Sequence, residues 1–155
     1  NIFINWIREN QHLFKSGAII TDVTGVKGPV VSEIQDMLRP DVEFIAAHPM
    51  AGREVGGVRN SDDGIFRGAN YVVTPSERNT QGAIDLCCEL GHILGFANVS
   101  ILSPAEHDDA LLRQIELFSQ ELIRLKLLLL AGDREGLREM MRQSTARRAL
   151  FDKKL

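Results

Sequence analysis

The sequence has only two cysteines, one tryptophan, one tyrosine and five prolines in 155 residues. The cysteines are neighbours, Cys87 and Cys88, within a helical pattern, where adjacent side chains point about 100° apart. That geometry suits neither a disulfide nor a zinc site. They read as small buried hydrophobes of a reducing compartment, and no metal site is expected. No apolar run reaches the roughly 18 residues of a membrane span, and Leu127 to Ala131 falls far short. A basic, hydrophobic, small-residue leader is also lacking. Neither sign of charge dominates: 18 basic against 21 acidic residues give a net charge of -3. Such a balance offers no general attraction to nucleic acid or anionic membrane. A Walker loop and the Gly-x-Gly-x-x-Gly dinucleotide fingerprint are both absent. The expectation is a cytoplasmic protein without membrane or nucleic-acid partners.

What is present fits a globular protein, with 44% apolar and 25% charged residues. The chain starts at Asn1 inside a helical pattern, as if in the middle of something. Ile2, Ile4, Trp6, Ile7, Leu13 and Phe14 fit a short amphipathic helix ending near Ser16-Gly17. Ala18 to Asp22 reads as a buried strand, apolar on both faces, as in a helix-covered parallel sheet. A turn at Gly25 and Gly28 leads into a helical stripe from Val30 to Leu38, stopping before Pro40. Glu43 to Ala47 is a second strand whose end delivers His48, which completes a βαβ unit. Gly52 to Gly68 is a glycine-rich loop, and Tyr71 to Val73 a third strand. Thr74-Pro75-Ser76-Glu77 has the capping pattern of a helix start, with the helix ending at Gly95. Val99 to Leu102 is a fourth strand, and Ser103-Pro104-Ala105-Glu106 repeats the cap.

The pattern then changes. Leu111, Ile115, Phe118, Leu122, Leu125 and Leu129 form a heptad-like seam. Gly132-Asp133 breaks it, and a basic helix with Leu137, Met140, Met141 and Phe151 follows. The expected fold is α/β: the C-terminal part of a Rossmann-like parallel sheet over residues 1–104, then an all-α dimerisation segment over 105–155. The seam needs a partner, and a second subunit suits it at least as well as the α/β lobe.

Two local features could carry chemistry. His48-Pro49-Met50-Ala51-Gly52 lies at the carboxyl end of a strand, where ligands bind in open α/β sheets. An imidazole with a pKa near 6.5 can take a proton there, although a histidine that merely caps the strand fits the position equally. Asp22-Val23-Thr24-Gly25-Val26-Lys27-Gly28 is a glycine turn leading into a helix, which can hold an anion on backbone N–H groups.

Together, Asp-x-x-x-Val-Lys, then His-Pro-Met-Ala-Gly-x-Glu about twenty residues on, then Tyr-Val-Val-Thr-Pro and Ser-Pro-Ala-Glu-His-Asp resemble the prephenate dehydrogenase family. The resemblance covers Ile19 to about Leu111 and returns in the terminal helices, which look like the last helices of the family's dimerisation domain. It implies an enzyme of tyrosine biosynthesis that oxidatively decarboxylates prephenate with NAD or NADP as cofactor, acting as a homodimer. Arogenate is an alternative substrate, and a non-catalytic dimerising remnant an alternative role. It further implies His48 as the catalytic base. Asp22, Thr24, Gly25 and Lys27 would lie beside the cofactor, and Gly52, Glu54 and His107 near the substrate. For His107, a purely structural hydrogen bond is the competing reading. His12 and His92 read as surface or core histidines, and the basic run Arg138 to Arg148 as a solvated helix face.

The sequence departs from the family pattern in three ways. Gly25 stands where the family usually has a serine that links the histidine to substrate and cofactor. The Rossmann half carrying the glycine fingerprint is not in the sequence. Leu112 runs directly into the terminal helices, where the family has a longer helical stretch with a substrate-binding arginine, so residues absent between Leu112 and Arg113 are expected.

Overall fold

The computed structural model describes residues 2–52 and 56–152, with the side chains of residues 63 and 148–152 left aside. Contacts divide the chain into two compact units, Asn1–Asp108 and Asp109–Leu155.

The first unit holds a four-stranded sheet in the order β1-β2-β3-β4, formed by β1 (Ile19–Thr21), β2 (Glu43–Met50), β3 (Asn70–Thr74) and β4 (Asn98–Ile101). Its helices are α1 (Ile2–Asn10), α2 (Gly28–Met37) and α3 (Gln81–Ile93). β1 and β2 are parallel, joined through α2, and β3 and β4 are parallel, joined through α3. Between these pairs β2 and β3 run antiparallel. The expected parallel sheet is therefore mostly but not wholly parallel. A parallel partner needs a crossover, usually a helix, and the described residues between 51 and 69 supply only two short 3-10 turns, Val58–Asn60 and Asp63–Phe66.

Two apolar clusters sit among these elements. Ile4, Ile7, Val30, Val31, Ile34 and Phe44 form one, which accounts for the spacing read in α2. Of the stripe read in the first helix, Ile4 and Ile7 are buried, whereas Ile2, Trp6 and Leu13 are exposed. Ile45, Ala47, Tyr71, Val73, Cys87 and Phe96 form the other. α3 comes close to the sheet at Gly91, where a Cβ would meet the Tyr71 ring at 2.6 Å and Val99 at 3.0 Å. Both cysteines are free, with Cys87 buried in the second cluster.

Three local expectations are corrected. β1 is not buried on both faces: as the sheet edge in this chain it leaves Ile19 41% exposed. β2 does not end at Ala47. It pairs with β1 only through Ile45, then continues against β3 through Met50. His48 therefore lies within a strand, opposite Val72. Beyond Ile45, β2 has a single neighbour, which tolerates Pro49. Finally, Thr74 caps no helix. It is fully buried at the end of β3, donating its hydroxyl to Ala46 O. The N-cap of α3 is Thr80, whose Oγ1 accepts from Ala83 N at 3.2 Å while Glu43 holds the Thr80 backbone and hydroxyl at 2.8 Å. The cap at Ser103 does form, as a reciprocal box with Glu106.

The second unit contains most of α4 (Pro104–Ala131) and α5 (Arg134–Asp152), separated at Gly132 with φ +64. α4 is one unbroken helix, and Leu112 and Arg113 are successive residues within it. Ile115, Phe118, Leu122 and Leu129 are each about half exposed or more, so the seam is largely uncovered in a single chain. Among the described residues, no helix is long and apolar enough to cross a membrane.

Candidate functional site

The first unit gathers five polar groups at one end of the sheet: a carboxylate after β1, a lysine before α2, an imidazole in β2 and an imidazole–carboxylate pair opening α4. Asp22 follows β1 directly. Its Oδ1 accepts from Ala47 N at 3.0 Å, and its Oδ2 accepts from Thr24 N at 3.0 Å and from the Thr24 hydroxyl. Lys27 is wholly buried. Its Nζ donates to both Asp22 oxygens at 2.9 Å and to Ala47 O at 2.5 Å. The pair therefore grips the backbone of Ala47 from both its N–H and its carbonyl, one residue before His48. Burial lowers the Lys27 pKa, against the opposing pull of Asp22.

His48 is partly buried. Its Nδ1 lies 2.9 Å from Nε2 of His107, and His107 is 5% exposed. His107 Nδ1 in turn lies 3.1 Å from Asp108 Oδ1. Asp108 accepts from the backbone N–H groups of Lys27 at 3.1 Å and Gly28 at 2.8 Å. It thus caps α2 from a distant part of the sequence, and the helix N-terminus favours its negative charge. Partial burial pushes the Asp108 carboxyl up, but bonds from His107, Lys27 and Gly28 outweigh that and hold it below the usual range. For His48, burial first, then His107 and Lys27, push the imidazole below its ordinary value, with Asp22 opposing.

The other edge of His48 faces the turn. A Cβ placed on Gly25 would stand 3.6 Å from His48 Nε2 and 3.8 Å from Cε1, ordinary contact with room for a side chain. Val23 is 74% and Val26 50% exposed on this turn, and Gly25 is exposed. An open backbone flanked by exposed apolar side chains, beside an imidazole nitrogen, suits the flat nicotinamide end of a dinucleotide. The exposed Gly25 backbone remains available to such a ligand, and Thr24 shapes the turn with its N–H and hydroxyl both given to Asp22. Asp22 and Lys27 do not present their side chains to it: both are committed to each other and to Ala47. Gly52 is exposed just beyond β2. Glu54 lies outside the described residues. His12 and His92 are exposed.

Sequence reasoning placed the two motifs together but missed what joins them. Asp108 was read only as part of a motif, although it links the α2 N-terminus to the histidines. A signal existed: a helix starting at Gly28-Pro29 with no Ser, Thr, Asp or Asn at its cap needs an acceptor from elsewhere.

A family model described as prephenate dehydrogenase, nucleotide-binding domain, matches residues 1–95. The chain is 33% identical over 92 residues to a prephenate dehydrogenase of Bacillus subtilis, a match covering 58% of this chain and 24% of that protein. It is also 33% identical over 97 residues to one of Lactococcus lactis, covering 61% and 25%. The chain thus spans about a quarter of the length of the curated relatives it matches. Among solved structures, it resembles a prephenate dehydrogenase from Aquifex aeolicus in complex with hydroxyphenyl propionate and NAD+, with TM-score 0.66, 20% identity, and 95% and 72% of the two chains covered. It resembles Synechocystis arogenate dehydrogenase with TM-score 0.64, 17% identity, and 97% and 75% covered. At these identities the likeness is one of fold, a Rossmann-like α/β lobe followed by helices.

Proposed function

As the chain belongs to the prephenate dehydrogenase family, we propose that it is part of a cytoplasmic NAD(P)-dependent oxidoreductase that converts prephenate to 4-hydroxyphenylpyruvate and carbon dioxide in tyrosine biosynthesis. The observation carrying this reading is His48, whose Nε2 edge faces the exposed Gly25 turn while its Nδ1 is held from behind. The bound dinucleotide supplies the hydride acceptor. The turn of Thr24 and Gly25 would hold its nicotinamide end, and His48 Nε2 would take the proton of the substrate hydroxyl as that carbon is oxidised. The bond to the ring carboxylate breaks, and its electrons complete the aromatic ring. Aromatisation drives the reaction, so the protein's work is to position the partners and accept one proton. Gly52, Glu54 and His107 are read as lying on the substrate side. The uncovered α4 seam supports a homodimer formed through the helical unit.

The decisive assay follows cofactor reduction by the purified enzyme carrying this chain, with prephenate and arogenate each tested against NAD and NADP. Turnover of prephenate above arogenate is expected. Inverted preference would move the substrate to arogenate, and no reduction with any pairing would remove the reading.

Gly25 offers a second test. Space exists for a Cβ at 3.6 Å from His48 Nε2, and the neighbouring Thr24 hydroxyl is already given to Asp22. Gly25→Ser is therefore expected to raise kcat by about 2- to 10-fold, the worth of one hydrogen bond at about 0.5–1.5 kcal/mol. Unchanged or lower kcat would show that the missing hydroxyl costs this site nothing.

A further inference from the structure

The chain of contacts His48–His107–Asp108 has only one consistent assignment of protons when both rings are neutral. Asp108 already accepts from two backbone N–H groups, at 3.1 Å and 2.8 Å, so it is an acceptor for its third neighbour as well. The nitrogen facing it, Nδ1 of His107, must then carry a proton and donate. A neutral imidazole has one donor and one acceptor nitrogen, so Nε2 of His107 accepts. The atom opposite it, 2.9 Å away, is Nδ1 of His48, which therefore donates. This leaves Nε2 of His48 unprotonated on the edge facing Gly25.

We propose that His107 is a positioning residue for the base, and that with Asp108 behind it it fixes His48 in the tautomer whose bare Nε2 faces the ligand side. This rests on the reading of His48 as the base, and it gives His107 a role other than touching substrate. The arrangement is built, not incidental. His107 is 5% exposed, so no bulk water competes for its ring nitrogens. Asp108 lies tight against the bare backbone of Gly28, where a Cβ would stand 2.6 Å from its Oδ2. Asp108 is thus held in place by the same helix that begins after the cofactor turn. When His48 takes a proton at Nε2 it becomes a cation, and the charge is met through His107 by the Asp108 carboxylate. Among the described residues, the other charged groups acting on His48 are Lys27 and Asp22, which pair with each other at 2.9 Å. An imidazole oriented by a second group that sets its tautomer is a recurrent device of general-base sites.

The test reads the tautomer directly, by nitrogen NMR of the full chain with ¹⁵N-labelled histidine, well above the ordinary imidazole range. His48 should carry its proton on Nδ1 in the wild-type chain and in His107→Gln, whose side-chain carbonyl can still accept. In His107→Phe, which has no acceptor, the proton should move to Nε2. A wild-type His48 protonated on Nε2, or a tautomer unmoved by phenylalanine, overturns the proposal. Should the phenylalanine variant not fold, Asp108→Ala keeps both imidazoles and removes only the carboxylate. The tautomer must then shift toward Nε2–H, and an unchanged tautomer overturns the proposal equally. In the enzyme carrying this chain, kcat should fall about tenfold or more in His107→Phe with KM little changed, and glutamine should restore most of it. Equal losses in both variants would count against positioning. The NMR result needs no turnover, so failure of the dehydrogenase reading would appear separately, as a wild-type enzyme that reduces no cofactor.

Discussion

His48→Asn in the enzyme carrying this chain should lower kcat by about 10²- to 10⁴-fold, the usual contribution of a positioned general base, while leaving KM within a few-fold. Asparagine is close in size and can still bond to the His107 ring, so binding surfaces survive while the proton acceptor disappears. The pH profile of the wild-type enzyme carries a second expectation. Burial, then His107 and Lys27, lower the His48 pKa, so the neutral base persists to more acid solution than an ordinary imidazole would. The acid limb of kcat/KM should have its midpoint below 6.5, with activity rising as pH rises through it. In His48→Asn that limb should vanish from the residual activity. Wild-type turnover in the variant would end the assignment. A midpoint above 6.5 would mean that burial does not dominate the protonation of this ring.

How much of this was legible in the sequence depends on whether a signal was local. Val30, Val31 and Ile34 are buried at the spacing that the pattern announced, because a helix stripe depends only on its own period. The strand containing Phe44 to Ala47 was also plain, since a wholly buried strand is a continuous apolar run. Its extension through His48 to Met50 was not. That extension depends on antiparallel pairing with β3, a long-range fact that Pro49 argued against. The helix cap was misplaced for a similar reason. Thr74 and Thr80 both offer a hydroxyl, but the buried sheet claims Thr74, and capping statistics do not record that competition.

The site shows the same division. The motifs around Asp22 and His48 carried the family resemblance, and it was that resemblance which implied Asp22 and Lys27 beside the cofactor. A lysine in a glycine turn reads as an anion ligand until its burial is known. The half-buried Thr24 and the exposed Gly25 of the turn remain in keeping with a cofactor, whereas the Asp22–Lys27 pair is turned inward. Asp108 was the least legible of all, since its partners lie 80 and 81 residues away.

That inward pair gives the largest expected effect on stability. Lys27→Met should destabilise the first unit by about 3–5 kcal/mol, the cost of breaking a buried ion pair from one side. The side chains of Lys27 and Asp22 are 0% and 2% exposed, so water cannot replace the lost ammonium. Methionine fits the volume of the lysine stem but leaves the Asp22 carboxylate charged and the Ala47 carbonyl without its 2.5 Å donor. Trp6, the sole tryptophan, packs against Phe14 with ring centroids 6.0 Å apart in the same unit, so its fluorescence during urea unfolding reports the loss. Adding Asp22→Asn removes the buried charge while keeping an oxygen for Ala47 N. The double variant should therefore be more stable than additivity predicts, with a coupling of about 1 kcal/mol or more. The two roles of Lys27 separate cleanly here. If its ammonium serves the fold, stability falls in the absence of any ligand, and the His48 ring, one residue from the gripped Ala47, loses its fixed environment. If instead it binds a cofactor phosphate or carboxamide, stability without ligand should barely change and only cofactor affinity should suffer. A loss under about 1 kcal/mol would therefore overturn the structural role and return Lys27 to the ligand.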